Sequence, residues 1–148
     1  MSDLNSEIQT MLDEHKVTKR IIEFAKCLDE KNFVGYANLY AEDGELKHPW
    51  GGHKGRAGLA EYVEHDLGKY VATQHMSGSQ FVEINGNTAK ARAGLMAIHT
   101  SNQEGTNFWV VGGHYIFDLE KIDGNWYFKH FEIKPAWQFK SNPETPEI

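Results

Sequence analysis

The sequence predicts an α+β domain in which three N-terminal helices cover the concave face of a strongly curved, mostly antiparallel sheet. Over residues 7–67 the apolar residues recur mainly at three- and four-residue steps, which places them on one side of a helix. From Val71 onward the spacing changes to alternation, with hairpin turns indicated at residues 85–87 and 123–124. Helices packed over a bent sheet can enclose a pocket.

The first predicted helix spans residues 7–29. Its apolar stripe carries Ile8, Leu12, Val17, Ile21, Phe24, Ala25 and Leu28. Asp29 lies at the C-terminal end of this helix, where the helix dipole disfavours an anion and a cationic partner is favourable. Position alone favours a solvated acid, so a functional role for Asp29 depends on what faces it.

Two shorter helices are predicted over residues 32–40 and 56–67. Asn32 is a candidate N-cap for the first, residues 41–44 break it, and residues 51–55 form a glycine-rich loop before the second. The positions predicted to pack are Phe33, Tyr36, Ala37 and Tyr40 in the first helix, and Leu59, Tyr62 and Val63 in the second.

A short strand is predicted over residues 45–50. Leu46, His48 and Trp50 occupy alternate positions, so one face of the strand carries an imidazole and an indole. Pro49 cannot donate a ladder hydrogen bond, which makes this a short strand or an edge strand. His48 and Trp50 are predicted to line a pocket, where a neutral imidazole would hydrogen-bond a substrate oxygen.

The strand predicted over residues 88–100 has one face of small side chains that ends in a histidine. The positions on this face are Ala89, Ala91, Ala93, Leu95, Ala97 and His99. Alanines leave space where a core is ordinarily filled, so this face either packs very closely against a helix or lines a cavity. Leu95, Ala97 and His99 are predicted to face that cavity.

The next predicted strand, residues 107–121, is apolar on both faces over its middle. Gly113 and Tyr115 lie on one face, whereas His114 alternates onto the other face as a core or interface contact. An apolar outer face is normally covered, so we expect a homo-oligomer, with dimer and trimer both open.

The last predicted strand runs from Trp126 to about Ile133. Alternation does not decide whether its His130 enters the pocket mouth or stacks on Trp126. Beyond Pro135, residues 141–148 are predicted to form a flexible tail. Residues 1–140 are expected to form one domain, because this length suits a single closed core.

The composition argues against several classes of function. Fifteen basic and 21 acidic side chains give a net charge of −6, and no stretch gathers Lys and Arg into the basic face that nucleic-acid binding requires. No basic leader and no apolar run of membrane-spanning length is found, which predicts a cytoplasmic protein without a membrane partner. The single cysteine, Cys27, falls in the first helical stripe and is interpreted as a packed thiol.

His75, in the stretch Thr73-Gln74-His75, is the candidate for proton transfer. Imidazole titrates near neutral pH and transfers protons well when a carboxylate fixes its tautomer and orientation. The alternative is a structural histidine at a strand end that is bonded to backbone. The remaining unassigned histidines are expected to be solvated: His15, His53 and His65.

Eight histidines raise the question of a metal site. No HxxxH, HxH or CxxC spacing occurs, and no predicted helix presents two imidazoles on one face. His48, His75 and His99 are the one credible set of ligands, and we expect no metal. Phosphate-loop and dinucleotide motifs are also missing, so no cofactor is expected.

Several stretches resemble the SnoaL-like branch of the nuclear transport factor 2-like superfamily, and scytalone dehydratase in particular. They are residues 28–33 at the end of the first helix, Thr-Gln-His at 73–75, His99 at the end of a strand, residues 121–126 before the last strand, and Lys134-Pro135. The resemblance covers most of the chain. It implies a cone-shaped α+β barrel, also described as cystatin-like.

The resemblance also implies a proton-transfer site. In scytalone dehydratase a first-helix aspartate orients a strand histidine, the pair removes a proton next to a carbonyl so that water is lost, and a second histidine lies across the pocket. At matching positions this implies Asp29 as the orienting acid, His75 as general base or acid, and His99 as a second proton donor or hydrogen-bonding group. The γ-hexachlorocyclohexane dehydrochlorinase is similar and eliminates HCl with the same kind of pair.

This sequence departs from the dehydratase pattern around the substrate. Two tyrosines that polarise the substrate carbonyl through water are matched by Leu28 and His48, and a pocket serine and asparagine by Gly113 and Tyr115. The expected pocket is therefore more apolar and differently shaped. Scytalone itself is not the expected substrate.

The leading expectation is a cofactor-independent lyase, dehydratase-like, that eliminates water or HX from a small hydrophobic substrate with a cyclic or aromatic ring. One alternative is an isomerase, cyclase or hydrolase that acts on a steroid- or polyketide-like ligand in the same pocket. The other is a non-catalytic small-molecule-binding or assembly domain, because one fold hosts many functions.

Overall fold

The computed structural model describes residues 3–148, so the expected start of the domain at residues 1 and 2 lies outside the described part. Within it, helices α1 (Leu4–Asp29), α2 (Phe33–Ala37) and α3 (Leu59–Leu67) accompany a seven-stranded sheet. The strands are β1 (Tyr40–His48), β2 (Gly51–Lys54), β3 (Ala72–Met76), β4 (Phe81–Asn85), β5 (Thr88–Thr100), β6 (Phe108–Ile122) and β7 (Asn125–Lys140). The predicted α+β class is confirmed. None of the helices in residues 3–148 has the length and apolar character needed to cross a membrane.

The sheet has the order β2-β1-β7-β6-β5-β3, and β4 pairs with β5 on the same edge as β3. Its pairs are antiparallel except for β1 and β7, which run parallel. The β6–β7 ladder shifts register at Gly112/Gly113 and again at Asp118/Leu119. Such bulges bend strands and increase their twist, which helps the sheet to curl around α1.

Helix α1 packs its apolar stripe against the concave face of the sheet. Val17, Ile21 and Phe24 are fully buried. The Phe24 ring meets Tyr115 edge-on at 5.1 Å and Phe131 at 4.9 Å between centroids. The inner face of β5 is divided: its alanines from Ala89 to Ala93 belong to the core, and its later positions line a cavity.

Asp13 attaches α1 to the β6–β7 hairpin. Its side chain is buried, Trp126 Nε1 donates to Oδ1 at 3.0 Å, and Lys121 Nζ lies 3.0 Å from the same oxygen. Gln9 Nε2 donates to Oδ2 at 3.1 Å. Burial alone would raise the pKa of Asp13, but the hydrogen bonds from Gln9, Lys121 and Trp126 outweigh it and hold the pKa below its usual value.

The structure differs from the predicted elements between α2 and α3. Helix α2 ends at Ala37 rather than at residue 40, and Tyr40 begins β1, which continues through the predicted break at 41–44. Residues 51–54, predicted as a loop, form β2 and pair with β1. Pairing of β1 with both β2 and β7 supplies backbone hydrogen bonds that local sequence preference does not reveal.

Strand β7 is longer than predicted. It continues to Lys140 instead of ending near Ile133, because it pairs with β6 along almost its whole length. Pro135 is tolerated within the strand because it lies at the bulge opposite Gly113.

Residues 141–148 also differ from the predicted flexible tail, because they fold back onto the domain. Thr145 is buried. The Tyr70 hydroxyl donates to the Pro146 carbonyl at 3.0 Å, and Lys69 Nζ donates to the Glu147 carbonyl at 2.9 Å. This segment therefore packs against the link between α3 and β3 rather than extending into solvent.

The convex face of the sheet carries two rows of apolar side chains, which we call the convex apolar face. The first row crosses β3, β5, β6 and β7 at Met76, Met96, Gly112 and Trp137. The second row carries Ile98, Val110 and Phe139. The Trp137 ring lies over Gly112, where a Cβ would collide with it. Trp137 and Phe139 are 49% and 57% exposed in the single chain.

Replacing Asp13 by Asn should lower the free energy of unfolding by about 1–3 kcal/mol, because the amide cannot pair with the Lys121 ammonium. Urea denaturation at neutral pH measures this loss. Because the folded-state pKa of Asp13 is depressed, its contribution is present above the unfolded-state pKa and is lost as the pH falls through the folded-state pKa. The difference between variant and wild type should therefore shrink in acid.

The matched control is Asp43→Asn, which breaks the more exposed pair with Lys129. It should cost clearly less than Asp13→Asn, because solvent screens an exposed ion pair. Equal losses in the free energy of unfolding for Asp13→Asn and Asp43→Asn would contradict a special role for the buried Asp13 contacts.

Candidate active site

A cavity of about 70 Å³ lies between the concave face of the sheet and the helices. Its walls are mostly apolar and aromatic, with Trp50, Leu95, Ala97, Trp109, Val111, Tyr115 and Ile133 among them. The tyrosine, histidine and aspartate side chains in the lining are Tyr36, His48, Tyr62, Asp66, His75, His99 and Tyr115. Polar groups placed in a few positions of an apolar pocket are typical of small-molecule sites.

Asp29 and His75 form a hydrogen-bonded pair at the edge of this cavity. His75 Nδ1 lies 2.7 Å from Asp29 Oδ1, and Thr73 Oγ1 donates to the same oxygen at 3.0 Å. The backbone N–H of His75 donates to Oδ2 at 3.0 Å. Because an ionised carboxylate only accepts hydrogen bonds, the proton of the neutral imidazole is placed on Nδ1 and Nε2 is the basic nitrogen.

The junction of α1 and β3 positions this pair. After Asp29 the chain reverses: Lys31 adopts a left-handed φ of 57°, and the Asn32 N–H donates to the Cys27 carbonyl at 2.8 Å. Strand β3 pairs with the end of β5. Its alternation turns the two odd-numbered side chains, at 73 and 75, toward the end of α1.

The Asp29 carboxylate is ionised at neutral pH. Burial would raise its pKa, but the hydrogen bonds from His75 and Thr73 outweigh burial and hold the pKa below the usual value. The His75 side chain is only 7% exposed. An imidazolium that forms on His75 is therefore shielded from water and stabilised by the adjacent carboxylate.

His99 lies beside the pair on β5, with its ring 5.7 Å from that of His75 and edge-on to it. Its Nδ1 donates to the Trp109 carbonyl at 3.1 Å, and its ring stacks on Trp109 at 4.7 Å. Burial, reinforced by the neighbouring His75, lowers the pKa of His99 to about 4. Neutral His99 thus offers Nε2 as an acceptor, which favours the hydrogen-bonding role over that of a proton donor.

His48 and Trp50 lie on another side of the cavity. His48 ends β1, and its Nε2 is 3.0 Å from the Tyr62 hydroxyl of α3. Its Nδ1 is buried and has no hydrogen-bond partner among the described residues. Trp50 tilts against His48 at 5.8 Å and meets Trp109 edge-on at 5.6 Å. Burial lowers the pKa of His48, so this imidazole is neutral too.

Gly113 is the predicted site residue that the structure places elsewhere. The other predicted lining residues, His48, Trp50, Leu95, Ala97 and Tyr115, all border the cavity. Opposite Gly113 the β7 strand carries one extra residue, Ala136. The backbone of β7 occupies the space beside Gly113, with the Lys134 carbonyl where a Cβ would stand. The prediction of Gly113 as a pocket residue is therefore wrong, because strand alternation ignores bulges.

Several lining residues were not predicted as site residues, among them Tyr62, Asp66 and Ile148. Tyr62 and Asp66 are four residues apart on α3, a spacing that puts both polar groups on one helix face, and this is the signal that was available. Nothing in the sequence marks Ile148, which reaches the cavity because residues 141–148 fold back.

The other histidines lie away from the lining. Strand alternation left open whether His130 enters the pocket mouth. His130 lies outside the lining, and its Nε2 is 3.4 Å from Glu132 Oε2. His53 Nε2 donates to the Ala57 carbonyl at 2.8 Å. Within residues 3–148, no three His, Cys, Asp or Glu side chains are grouped so that they could hold a metal ion.

The sequence also matches a known family. A family model described as a SnoaL-like domain matches residues 9–132, a range that includes Asp29, His75 and His99. The chain belongs to the SnoaL-like domain family. No curated protein matches the chain.

Solved structures share the fold of this SnoaL-like chain. A candidate scytalone dehydratase from Novosphingobium aromaticivorans is 21% identical, with a TM-score of 0.81 over 93% of each chain. A hexachlorocyclohexane dehydrochlorinase from Novosphingobium barchaimii is 14% identical, with a TM-score of 0.80 over 91% of this chain and 94% of that one. A Nostoc punctiforme protein of unknown function with a cystatin-like fold is 21% identical, with a TM-score of 0.70 over 91% of this chain and 95% of that one. These similarities confirm the predicted fold.

His99 should titrate with a midpoint of about 4 in the folded protein. Histidine side-chain NMR spectra recorded across acidic pH measure the midpoint, and His99→Gln identifies the signal. In an unfolded chain the midpoint is about 6.5, so the unfolded state binds this proton more readily. The contribution of His99 should therefore reduce stability as the pH falls from about 6.5 to about 4. A folded-state midpoint near 6.5 would show that the ring is hydrated.

Proposed function

We propose that this protein is a cofactor-independent lyase that eliminates water, or another leaving group HX, from a small neutral ring compound. The observation that carries this proposal is the His75 imidazole at the cavity, with Nδ1 2.7 Å from the ionised Asp29 carboxylate and Nε2 without a hydrogen bond to any described residue. A positioned base of this kind typically contributes ~10²–10⁴-fold to proton transfer.

In the proposed elimination, His75 Nε2 takes a proton from a substrate carbon. The electron pair of that C–H bond forms the new C=C bond, and the bond to the leaving group on the next carbon breaks. Asp29 stays ionised and stabilises the imidazolium. The proton on Nε2 then passes to a departing hydroxide, which gives water, or to solvent when X⁻ departs. His99 Nε2 can accept a hydrogen bond from a substrate hydroxyl and hold it in place.

The lining favours a neutral ligand with flat apolar surfaces. Trp50 and Trp109 provide indole faces. Among the described residues that border the cavity, Asp66 is the one with a formal charge at neutral pH, so a carboxylate or phosphate ligand would meet no countercharge. The cavity of about 70 Å³ restricts the ligand to small rings, and even these would have to displace lining residues such as Ile148.

The names of some structural relatives support an elimination. Two of the structural relatives carry the names of eliminating enzymes, a scytalone dehydratase and a hexachlorocyclohexane dehydrochlorinase. The dehydrochlorinase name also supports leaving groups other than water.

An isomerase is the second candidate, and one observation favours it. His99 is neutral and its Nδ1 proton is committed to the Trp109 carbonyl, so His75 is the group best placed to transfer protons. A single base that takes a proton from one carbon and returns it to another catalyses an isomerisation. Elimination and isomerisation are distinguished by their products.

His75→Ala and Asp29→Asn should each lower turnover by at least ~10²-fold, because each removes part of the proton-transfer pair. Product mass spectrometry over a panel of β-hydroxy ketones and halogenated rings measures this, since elimination loses the mass of water or HX and isomerisation loses none. His65→Ala, on an exposed side chain of α3, is the control and should retain wild-type turnover. Full activity in either pair variant would refute the mechanism.

We also propose that a second copy of the chain covers the convex apolar face. Its first row crosses four strands and its second row crosses three, and Trp137 and Phe139 would otherwise leave half of their surface in water.

A double variant, Trp137→Asp with Phe139→Asp, should shift the protein toward monomer in light-scattering measurements, because two charges would be buried in the contact. Val34→Asp is the control: Val34 is 65% exposed on α2, outside the convex apolar face. The control should keep the wild-type mass. An unchanged mass in the double variant would rule out this surface as the interface.

A further inference from the structure

A second hydrogen-bonded pair lies in the cavity wall, on elements that do not hold the candidate base. It joins His48 at the end of β1 to Tyr62 on α3, with 3.0 Å between Nε2 and the hydroxyl oxygen. Aromatic rings fill the wall between this pair and His99: Trp50 contacts His48 and Trp109, and Trp109 stacks on His99. A ligand in the cavity can therefore meet different polar groups at its two ends.

The tautomer of His48 follows from its unpartnered nitrogen. Nδ1 is buried and has no hydrogen-bond partner among residues 3–148. A buried N–H without an acceptor is rarer in proteins than an unsatisfied acceptor, and it carries the full cost of desolvation. The proton of this neutral imidazole is therefore on Nε2, and Nε2–H donates to the Tyr62 oxygen.

The Tyr62 hydroxyl then accepts from His48 and has its own proton to donate. His48 is its one side-chain hydrogen-bond partner in the described part of the chain, and Tyr62 borders the cavity. Burial and the nearby Asp66 carboxylate raise the pKa of Tyr62, so the hydroxyl keeps its proton at neutral pH. Asp66, His75 and His99 in the lining supply acceptors, whereas the Tyr62 hydroxyl has a proton to donate to a ligand oxygen.

We propose that Tyr62 binds a carbonyl oxygen of the ligand and that His48 is a positioning residue, which orients the hydroxyl proton toward the cavity. Together with the acceptors His75 and His99, this donor fits a neutral cyclic ketone. A hydrogen bond from Tyr62 polarises the C=O bond and stabilises the negative charge that develops on oxygen as His75 takes the neighbouring proton. That catalytic contribution rests on the proposed function, whereas the donor site itself does not.

The first experiment needs no ligand. Nitrogen-15 NMR spectra of protein labelled at histidine distinguish the two neutral tautomers, and His48→Gln identifies the His48 signals. We expect the proton on Nε2. A proton on Nδ1 would overturn the proposal, because Tyr62 would then have to donate its own proton to Nε2.

The second experiment uses 2-cyclohexenone labelled with carbon-13 at the carbonyl. Wild-type protein should bind this ketone and move its carbonyl signal downfield. Tyr62→Phe should weaken binding about tenfold, the loss of one hydrogen bond, and abolish the shift. Tyr127→Phe, a matched change outside the cavity, should behave as wild type. A shift that survives Tyr62→Phe, or no binding up to the solubility limit of the ketone, would overturn the donor site.

Two further variants separate the roles. His48→Phe should reduce the carbonyl shift without abolishing it, because the hydroxyl loses its orientation; an unchanged shift would overturn the positioning role. His75→Ala should keep the shift, since the carbonyl binds elsewhere. A protein that shows the Tyr62-dependent shift but catalyses no elimination would keep the donor site and lose only the proposed function.

Discussion

The Asp29 carboxylate fixes the end of α1 against β3, and the candidate site depends on this attachment. A negative charge at a helix C-terminus is opposed by the helix dipole, so Asp29 is stable there only because Thr73 and His75 supply donors. The same bonds set the tautomer of His75 and the direction of its free nitrogen. Asp13 makes a comparable attachment nearer the start of α1. One helix is thus held at two points over the open side of a curled sheet.

The cavity separates one charged pair from a set of neutral polar groups. Asp29 is anionic because donors surround it, whereas His48 and His99 are neutral because burial disfavours their charged forms and lowers the pKa of each. Each neutral imidazole has one nitrogen engaged, by the Trp109 carbonyl or by Tyr62. The positive charge that His75 acquires during a reaction would therefore arise next to the Asp29 carboxylate, which stabilises it.

Local periodicity was sufficient to predict much of this arrangement from the sequence. The helical stripe of α1 and the alternation of β5 are long, regular patterns, and they placed Leu95, Ala97 and His99 on one face correctly. The resemblance to a known family added the pairing of Asp29 with His75, which are 46 residues apart and which no periodicity links.

The features that escaped prediction depend on contacts between distant segments. Strand β1 is stabilised by parallel pairing with β7, so its start at Tyr40 and its partner β2 have no local signature. Gly113 is displaced by an extra residue in the neighbouring strand, and the pairing of His48 with Tyr62 joins an edge strand to a helix.

Trp50 and Trp109, edge-on at 5.6 Å in the cavity wall, also make this site an optical reporter. Indole emission responds to whatever lies against the ring, and with the exposed Trp137 replaced by Phe the remaining signal would come from buried or cavity tryptophans. Libraries of neutral ring compounds can then be screened by fluorescence before any reaction is known.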